Sequence, residues 1–321
     1  MKARVARVLC VALMAMLTAA CGAMLGQSIP VPPPLPIWVA DTGNHRIVRM
    51  SDISGANWSA FGTGPGSAAG QFSSPRGVFV DSAGVIYVAD TGNNRIVRMT
   101  DMTGAGWTIF GGMGGGFNTP IGIFVDSAGQ IFVADTGNHR IVRFNDMAGS
   151  GWTPFGGGPG SAVGQFSGPE RVFVTVGGQI FVSDTGNHRV VRLNDIAGTG
   201  WTAFGTMGGG TGQFQGPRGI FLDGTGRIFI SDSGNHRIVR MADMAGTGWF
   251  GFGSIGSSAN AFNSLDGLSV DAALRVFVAD TLNHRIVRKE ADLTTGWTTL
   301  GGPSAGAGTN QFNTPRGIFL R

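Results

Sequence analysis

The chain is poor in the residues that most often crosslink a fold or carry chemistry. It has only 2 cysteines and 1 tyrosine in 321 residues, and 13% of residues are charged. Cys10 lies in an N-terminal apolar stretch read below as a cleaved signal, so a mature chain beginning at Cys21 has no internal disulfide and must be held by packing. Neither sign of charge dominates. Lys2, Arg4 and Arg7 are the only charged residues of positions 1–20, and their removal lowers the formal net charge from +4 to +1, which argues against a nucleic-acid partner. No helical period or capping pattern runs through residues 37–321, and the Gly-rich stretches lack the lysine and strand-to-helix context of a phosphate-binding loop. Glycine is abundant, with 56 residues, beside 42% hydrophobic residues, a composition too apolar for disorder.

The basic start, the apolar run from Val8 to Leu17 and the small residues up to Cys21 describe a secretory signal. Leu17-Thr18-Ala19-Ala20-Cys21-Gly22 resembles the bacterial lipoprotein cleavage site, which implies removal of residues 1–20 and lipidation of Cys21. Residues 21–36, with Pro30-Val31-Pro32-Pro33-Pro34-Leu35-Pro36, read as a stiff extended tether. The expected location is extracytoplasmic, in the periplasm or at the cell surface, with membrane contact only through the lipid anchor.

Asp-Thr-Gly-Asn-His-Arg-Ile-Val-Arg begins at Asp41, and variants begin at Asp90, Asp135, Asp184, Asp232 and Asp280. Each aspartate is followed 17 residues later by a tryptophan, Trp58, Trp107, Trp152, Trp201, Trp249 and Trp297. Between these marks lie short β-branched and aromatic runs separated by turn compositions, such as Gly77-Val78-Phe79-Val80, Val85-Ile86-Tyr87-Val88-Ala89, Arg95-Ile96-Val97-Arg98-Met99 and Trp107-Thr108-Ile109-Phe110. Four strands (a to d) in a repeat of about 48 residues predict a blade of a β-propeller. The first unit starts at strand b, Ile37-Trp38-Val39-Ala40, and the chain ends on a strand a, Pro315–Arg321. The prediction is an all-β, six-bladed β-propeller over residues 37–321, its ring closed by the C-terminal strand joining the N-terminal blade.

The combination Pro-x-Gly-[Val/Ile]-x-Val-Asp and Ile-x-Val-Ala-Asp-Thr-Gly-Asn-x-Arg-Ile resembles the NHL repeat family of β-propellers. The resemblance implies the propeller fold. It leaves function open, because the family includes extracellular sensor domains, RNA-binding domains and a metal-dependent lyase.

Features present in every copy read as architecture. The Asp and Arg of each motif, from Asp41–Arg46 to Asp280–Arg285, fall opposite one another across the b–c turn and predict a cross-strand ion pair. His45, His139, His188, His236 and His284, with Asn94 in the one remaining copy, read as a turn residue bonding locally; their ring is too wide for three imidazoles to share one metal ion. The repeated Trp and Phe residues read as inter-blade core.

The copies diverge after the proline that leads into strand a: Arg76, Ile121, Glu170, Arg218, Asp266 and Arg316. Strand a lines the channel of a propeller, so these residues ring its mouth. The third complete copy also replaces Gly with Arg171. The candidate ligand site is therefore Arg76, Glu170, Arg171, Arg218, Asp266 and Arg316, and the expected function is binding or scaffolding of a protein, peptide or glycan by a monomer, without a cofactor. The alternative is a metal-dependent lyase or lactonase-like enzyme with its site in the channel.

Overall fold

The computed structural model describes residues 35–112, 116–290 and 292–321; the signal segment, Cys21 and most of the tether lie outside them. The repeats form six four-stranded antiparallel sheets. Blade 1 combines Pro315–Leu320 as strand a with Ile37–Asp41, Arg46–Met50 and Ser59–Phe61 as strands b, c and d. Strands a of blades 2 to 6 begin at Gly77, Pro120, Pro169, Pro217 and Leu265. The ends of the chain thus share one sheet, with Ile37 opposite Leu320 and Val39 opposite Ile318. Asp41 Oδ1 adds a bond across the junction, accepting the Asn313 N–H at 2.7 Å.

Strand b is buried along its whole length, as in Ile86–Asp90, because each blade is covered on both faces by its neighbours. Six hydrophobic clusters occupy the six interfaces. In one, Trp38, Ala40 and Ile47 of blade 1 meet Val78, Ile86 and Val97 of blade 2. The closing interface has the same character: Ile37, Val39 and Val48 pack on Phe277, Ala279 and Ile286 of blade 6. Phe72, Phe166, Phe214, Phe262 and Phe312, shortly before strands a, are fully buried, and each rests against the Trp preceding a strand d. Burial of each such ring contributes about 1.5–3 kcal/mol.

The b–c turn is a single turn of 3-10 helix ending on the repeated histidine or asparagine, whose φ lies between 52° and 56°. That left-handed conformation selects His and Asn over bulkier residues. The local bonding expected for this side chain is corrected: it reaches the next blade. His45 Nδ1 accepts the Ser74 N–H at 3.0 Å, and His139, His188, His236 and His284 accept from Gly168, Gly216, Ser264 and Thr314. Asn94 does the same with its Oδ1, taking the Thr119 N–H at 2.7 Å. The position therefore requires both tolerance of positive φ and a side-chain acceptor.

The predicted cross-strand pairs form in all six blades, with Arg Nε to Asp Oδ2 distances of 2.7 or 2.8 Å. They also hold the loop that enters the blade. In blade 2, Arg95 donates to the carbonyls of Ser67 and Gln71, Asn93 donates to Gly66, and Asp90 accepts the Ser73 N–H. Every clamp arginine lies 5.4–5.8 Å from the centre of its Trp ring. Burial nevertheless pushes the carboxyls of Asp41, Asp90, Asp184, Asp232 and Asp280 above their ordinary value, against the bonds from Asn, backbone and Arg. The clamp positions loops, and the burial of its carboxyls works against the attraction of its charge pair.

Candidate functional site: the channel mouth

Strands a approach so closely around the axis that most carry glycine after the mouth residue. A Cβ on Gly77, Gly122, Gly219, Gly267 or Gly317 would stand under 3.0 Å from the backbone carbonyl oxygen of the next blade. Blade 4 breaks this belt with Arg171, whose N–H is taken up by Ser183 Oγ; the same hydroxyl donates to the Arg218 carbonyl. All six strand b positions analogous to Ser183 were visible as Ala or Ser, yet their link to the belt was not legible before the strands were placed.

All six candidate residues converge. Asp266, fully buried, is the hub: Arg171 Nη2 lies 2.6 Å from its Oδ1, with Arg316 Nη1 at 2.9 Å and Arg218 Nη1 at 3.8 Å from its Oδ2. Arg218 Nε is also 3.5 Å from Glu170 Oε1. Arg171 further donates to the carbonyl of Arg76. Two polar atoms of the cluster, Arg76 Nε and Glu170 Oε2, are buried without a hydrogen-bond partner. Ile121, the apolar member of the ring, is buried.

The electrostatics divide the two carboxylates. Burial acts to raise Asp266, but the guanidiniums of Arg171, Arg316, Arg218 and Arg76 outweigh it and hold the carboxyl below its ordinary value. Glu170 is pushed up, first by burial and then by the Asp266 charge. Arg76 is pushed down, first by burial and then by neighbouring Arg316. Four guanidiniums face two carboxylates, so the site carries an excess of positive charge.

Beneath the cluster the channel holds a cavity of about 50 Å³, reached by Arg171 and floored by aromatic rings. Phe319, Phe79, Phe124, Phe173 and Phe221 form a chain of ring contacts with centroid separations of 4.5–5.2 Å. Blade 6 breaks the chain with Ser269, whose hydroxyl is buried and unpartnered. Sequence reasoning missed this residue, although its signal was present as one serine in a column of five phenylalanines.

The channel residues do not suit a divalent ion. Glu170 and Asp266 supply its carboxylates, and both face guanidiniums; among the described residues no three of His, Cys, Asp or Glu gather as a metal site. The histidines bond separate blade junctions. Gly302-Pro303-Ser304-Ala305-Gly306 has the pattern of a hydrolase nucleophile elbow, but it lies in the final loop between strands, without the following helix that such an elbow needs.

No curated protein matches the sequence. Among solved structures, the chain is similar to a streptogramin B lyase, with a TM-score of 0.60 and 16% identity over 92% of this chain and 96% of that one. A catalytically inactive virginiamycin B lyase from Staphylococcus aureus with quinupristin gives 0.58 and 16% identity, over 85% and 86% of the two chains. A chain of a nidogen/laminin complex gives 0.67 and 15% identity, over 89% and 97%. At these identities the likeness is one of fold. Residues 72–99, 117–144, 166–193 and 214–241 match the NHL repeat, so that the described chain is a six-bladed β-propeller with NHL repeats in blades 2 to 5.

Proposed function

We propose that the protein is an extracytoplasmic binding or scaffolding propeller, monomeric and lipid-anchored through Cys21, that holds a peptide, glycan or protein partner at the charged channel mouth. The observation that carries this reading is the convergence of Arg76, Glu170, Arg171, Arg218, Asp266 and Arg316 from five blades into one network on the axis. A repeated scaffold needs no such asymmetry. Binding partners are also the theme of the nidogen/laminin likeness, which supports the reading at the level of fold. The test is binding of the mature chain to peptide and glycan arrays. Arg218→Gln and Arg316→Gln should abolish the strongest signals while the melting profile still shows a folded ring; unchanged binding by both folded variants overturns the reading. Cys21→Ser should release the protein from the membrane fraction.

One observation favours a second reading, a channel-mouth enzyme. Glu170 and Asp266 are neighbouring carboxylates whose surroundings push their proton affinities in opposite directions, the arrangement that separates a general acid from a general base. Turnover of lactone substrates that disappears in a folded Glu170→Gln variant would establish it. Absence of turnover by the wild-type chain on such substrates would leave binding as the function.

A further inference from the structure

We infer that the mouth recognises a peptide through a carboxylate seated on Arg76, with apolar side chains of the same peptide lying on the loops of blades 4 to 6. This rests on the proposed binding function and narrows its ligand. Among the four guanidiniums, Arg171 and Arg316 pair with Asp266, and Arg218 pairs with both carboxylates. Arg76 has no carboxylate within ion-pair distance among the described residues, its Nε is buried without a partner, and the charges that act on it are the like charge of Arg316 and, beyond contact distance, those of Asp266 and Glu170. A partly buried guanidinium that touches no carboxylate directly is an unfavourable arrangement that an incoming carboxylate relieves, and its planar fork fits a carboxylate in two parallel hydrogen bonds.

The second observation is independent. Of the exposed large hydrophobic residues, Val163, Met207, Ile255 and Leu282 all lie on the mouth face. Val163, Met207 and Ile255 sit in the loops that deliver Glu170, Arg218 and Asp266, and the Leu282 N–H bonds the Asn263 carbonyl just ahead of Asp266. Met207 and Ile255 take the place of Pro65 and Pro159 in the equivalent bridges to Phe72 and Phe166, and Leu282 stands where the other five turns have glycine. Apolar replacements confined to three successive blades, on the same face as a guanidinium that no carboxylate touches, form a surface that is complementary to an acidic, apolar peptide. A neutral glycan offers neither the charge nor the side chains.

The experiment is selection of a random displayed peptide library on the folded wild-type chain and on Arg76→Gln, followed by anisotropy with synthetic winners. The expected result is enrichment of peptides with Asp, Glu or a free C-terminus next to Leu, Ile or Phe. Changing the acid to its amide, or Arg76 to Gln, should each weaken binding by about tenfold or more, with no further loss when both are combined. Amidated and free-acid forms of each winner distinguish a side-chain carboxylate from a terminal one. Ile255→Ser and Met207→Ser should weaken binding while leaving the acid dependence intact. Winners without acidic groups, or affinity indifferent to Arg76→Gln, overturn the inference. If Arg218→Gln and Arg316→Gln still abolish binding in that case, the mouth remains the binding site and only the carboxylate assignment falls; if no mouth variant matters, both fall.

Discussion

Arg171 of blade 4 reaches across the channel axis to Asp266 of blade 6, with 2.6 Å between Nη2 and Oδ1. Both residues break the consensus of their column, and each is compensated by the other. Asp266 is also contacted by Arg316 and Arg218, so it holds more of the network than Arg171 does. Asp266→Asn should therefore cost about 3–5 kcal/mol, the loss seen when one partner of a buried pair is removed and its cations are left unbalanced. Arg171→Gly restores the residue found in the other five blades, leaves Asp266 two guanidiniums, and should cost markedly less. Urea unfolding of the two variants measures the difference; equal losses would mean that Asp266 is not the hub.

Ser269 leaves an opening in the aromatic floor of the channel, and its buried hydroxyl has no partner. Ser269→Phe would complete the column formed by Phe79, Phe124, Phe173, Phe221 and Phe319 and fill part of the adjoining cavity. The expected gain is about 1–2 kcal/mol, from apolar burial and the removal of an unsatisfied polar atom. A loss of stability on urea unfolding would show that the cavity cannot take the ring. The same variant should leave Arg76-dependent peptide binding intact, because the phenylalanine column lies below the charged cluster.

The junction histidines combine two requirements that Asn94 also meets. His139→Asn should thus be nearly neutral, since asparagine tolerates φ near 56° and its Oδ1 can take the Gly168 N–H. His139→Ala removes the acceptor and keeps the strained backbone, with an expected cost of about 1–3 kcal/mol. Thermal melts of the pair separate acceptor loss from a general intolerance of substitution: an asparagine variant as unstable as the alanine one would refute the inter-blade role.

Much of this was legible in the chain because the repeat states it six times. The Asp–Arg spacing fixed the turn between strands b and c, the Trp offset fixed the blade interior, and Ile37 and Leu320 at the two ends implied a shared sheet. The mouth was legible for the opposite reason. Six copies define an expectation, and Glu170, Arg171 and Asp266 depart from it beside Arg76, Arg218 and Arg316, at the one strand that lines the axis. What could not be read were relations between blades. Nothing in the local sequence says that His45 bonds Ser74, or that Arg171 pairs with the carboxylate of Asp266 rather than with that of its sequence neighbour Glu170, because those contacts follow from ring curvature. Ser269 escaped for a simpler reason: a serine in a strand resembles drift until the five phenylalanines are seen to touch.

The last prediction concerns acid. Asp292, exposed in the c–d turn of blade 6, accepts the N–H groups of Thr294 and Thr295, and those bonds hold its carboxyl down at about 2, against an ordinary 3.8. A carboxyl lowered on folding stabilises the native state above the unfolded-state value and loses that contribution as pH falls toward the folded one. Asp292→Asn should consequently be less stable than wild type at neutral pH, with the gap shrinking as pH falls from about 4 to about 2. Buried Asp280 in the same blade is shifted upward by burial, so its contribution has the opposite sign: it favours the folded state at low pH and weakens as pH rises through its folded value. Carboxyl-carbon NMR titration would show the two aspartates titrating on opposite sides of the ordinary value. If Asp292 instead titrates at or above Asp280, the turn bonds do not hold the charged form and the predicted closing of the gap cannot occur.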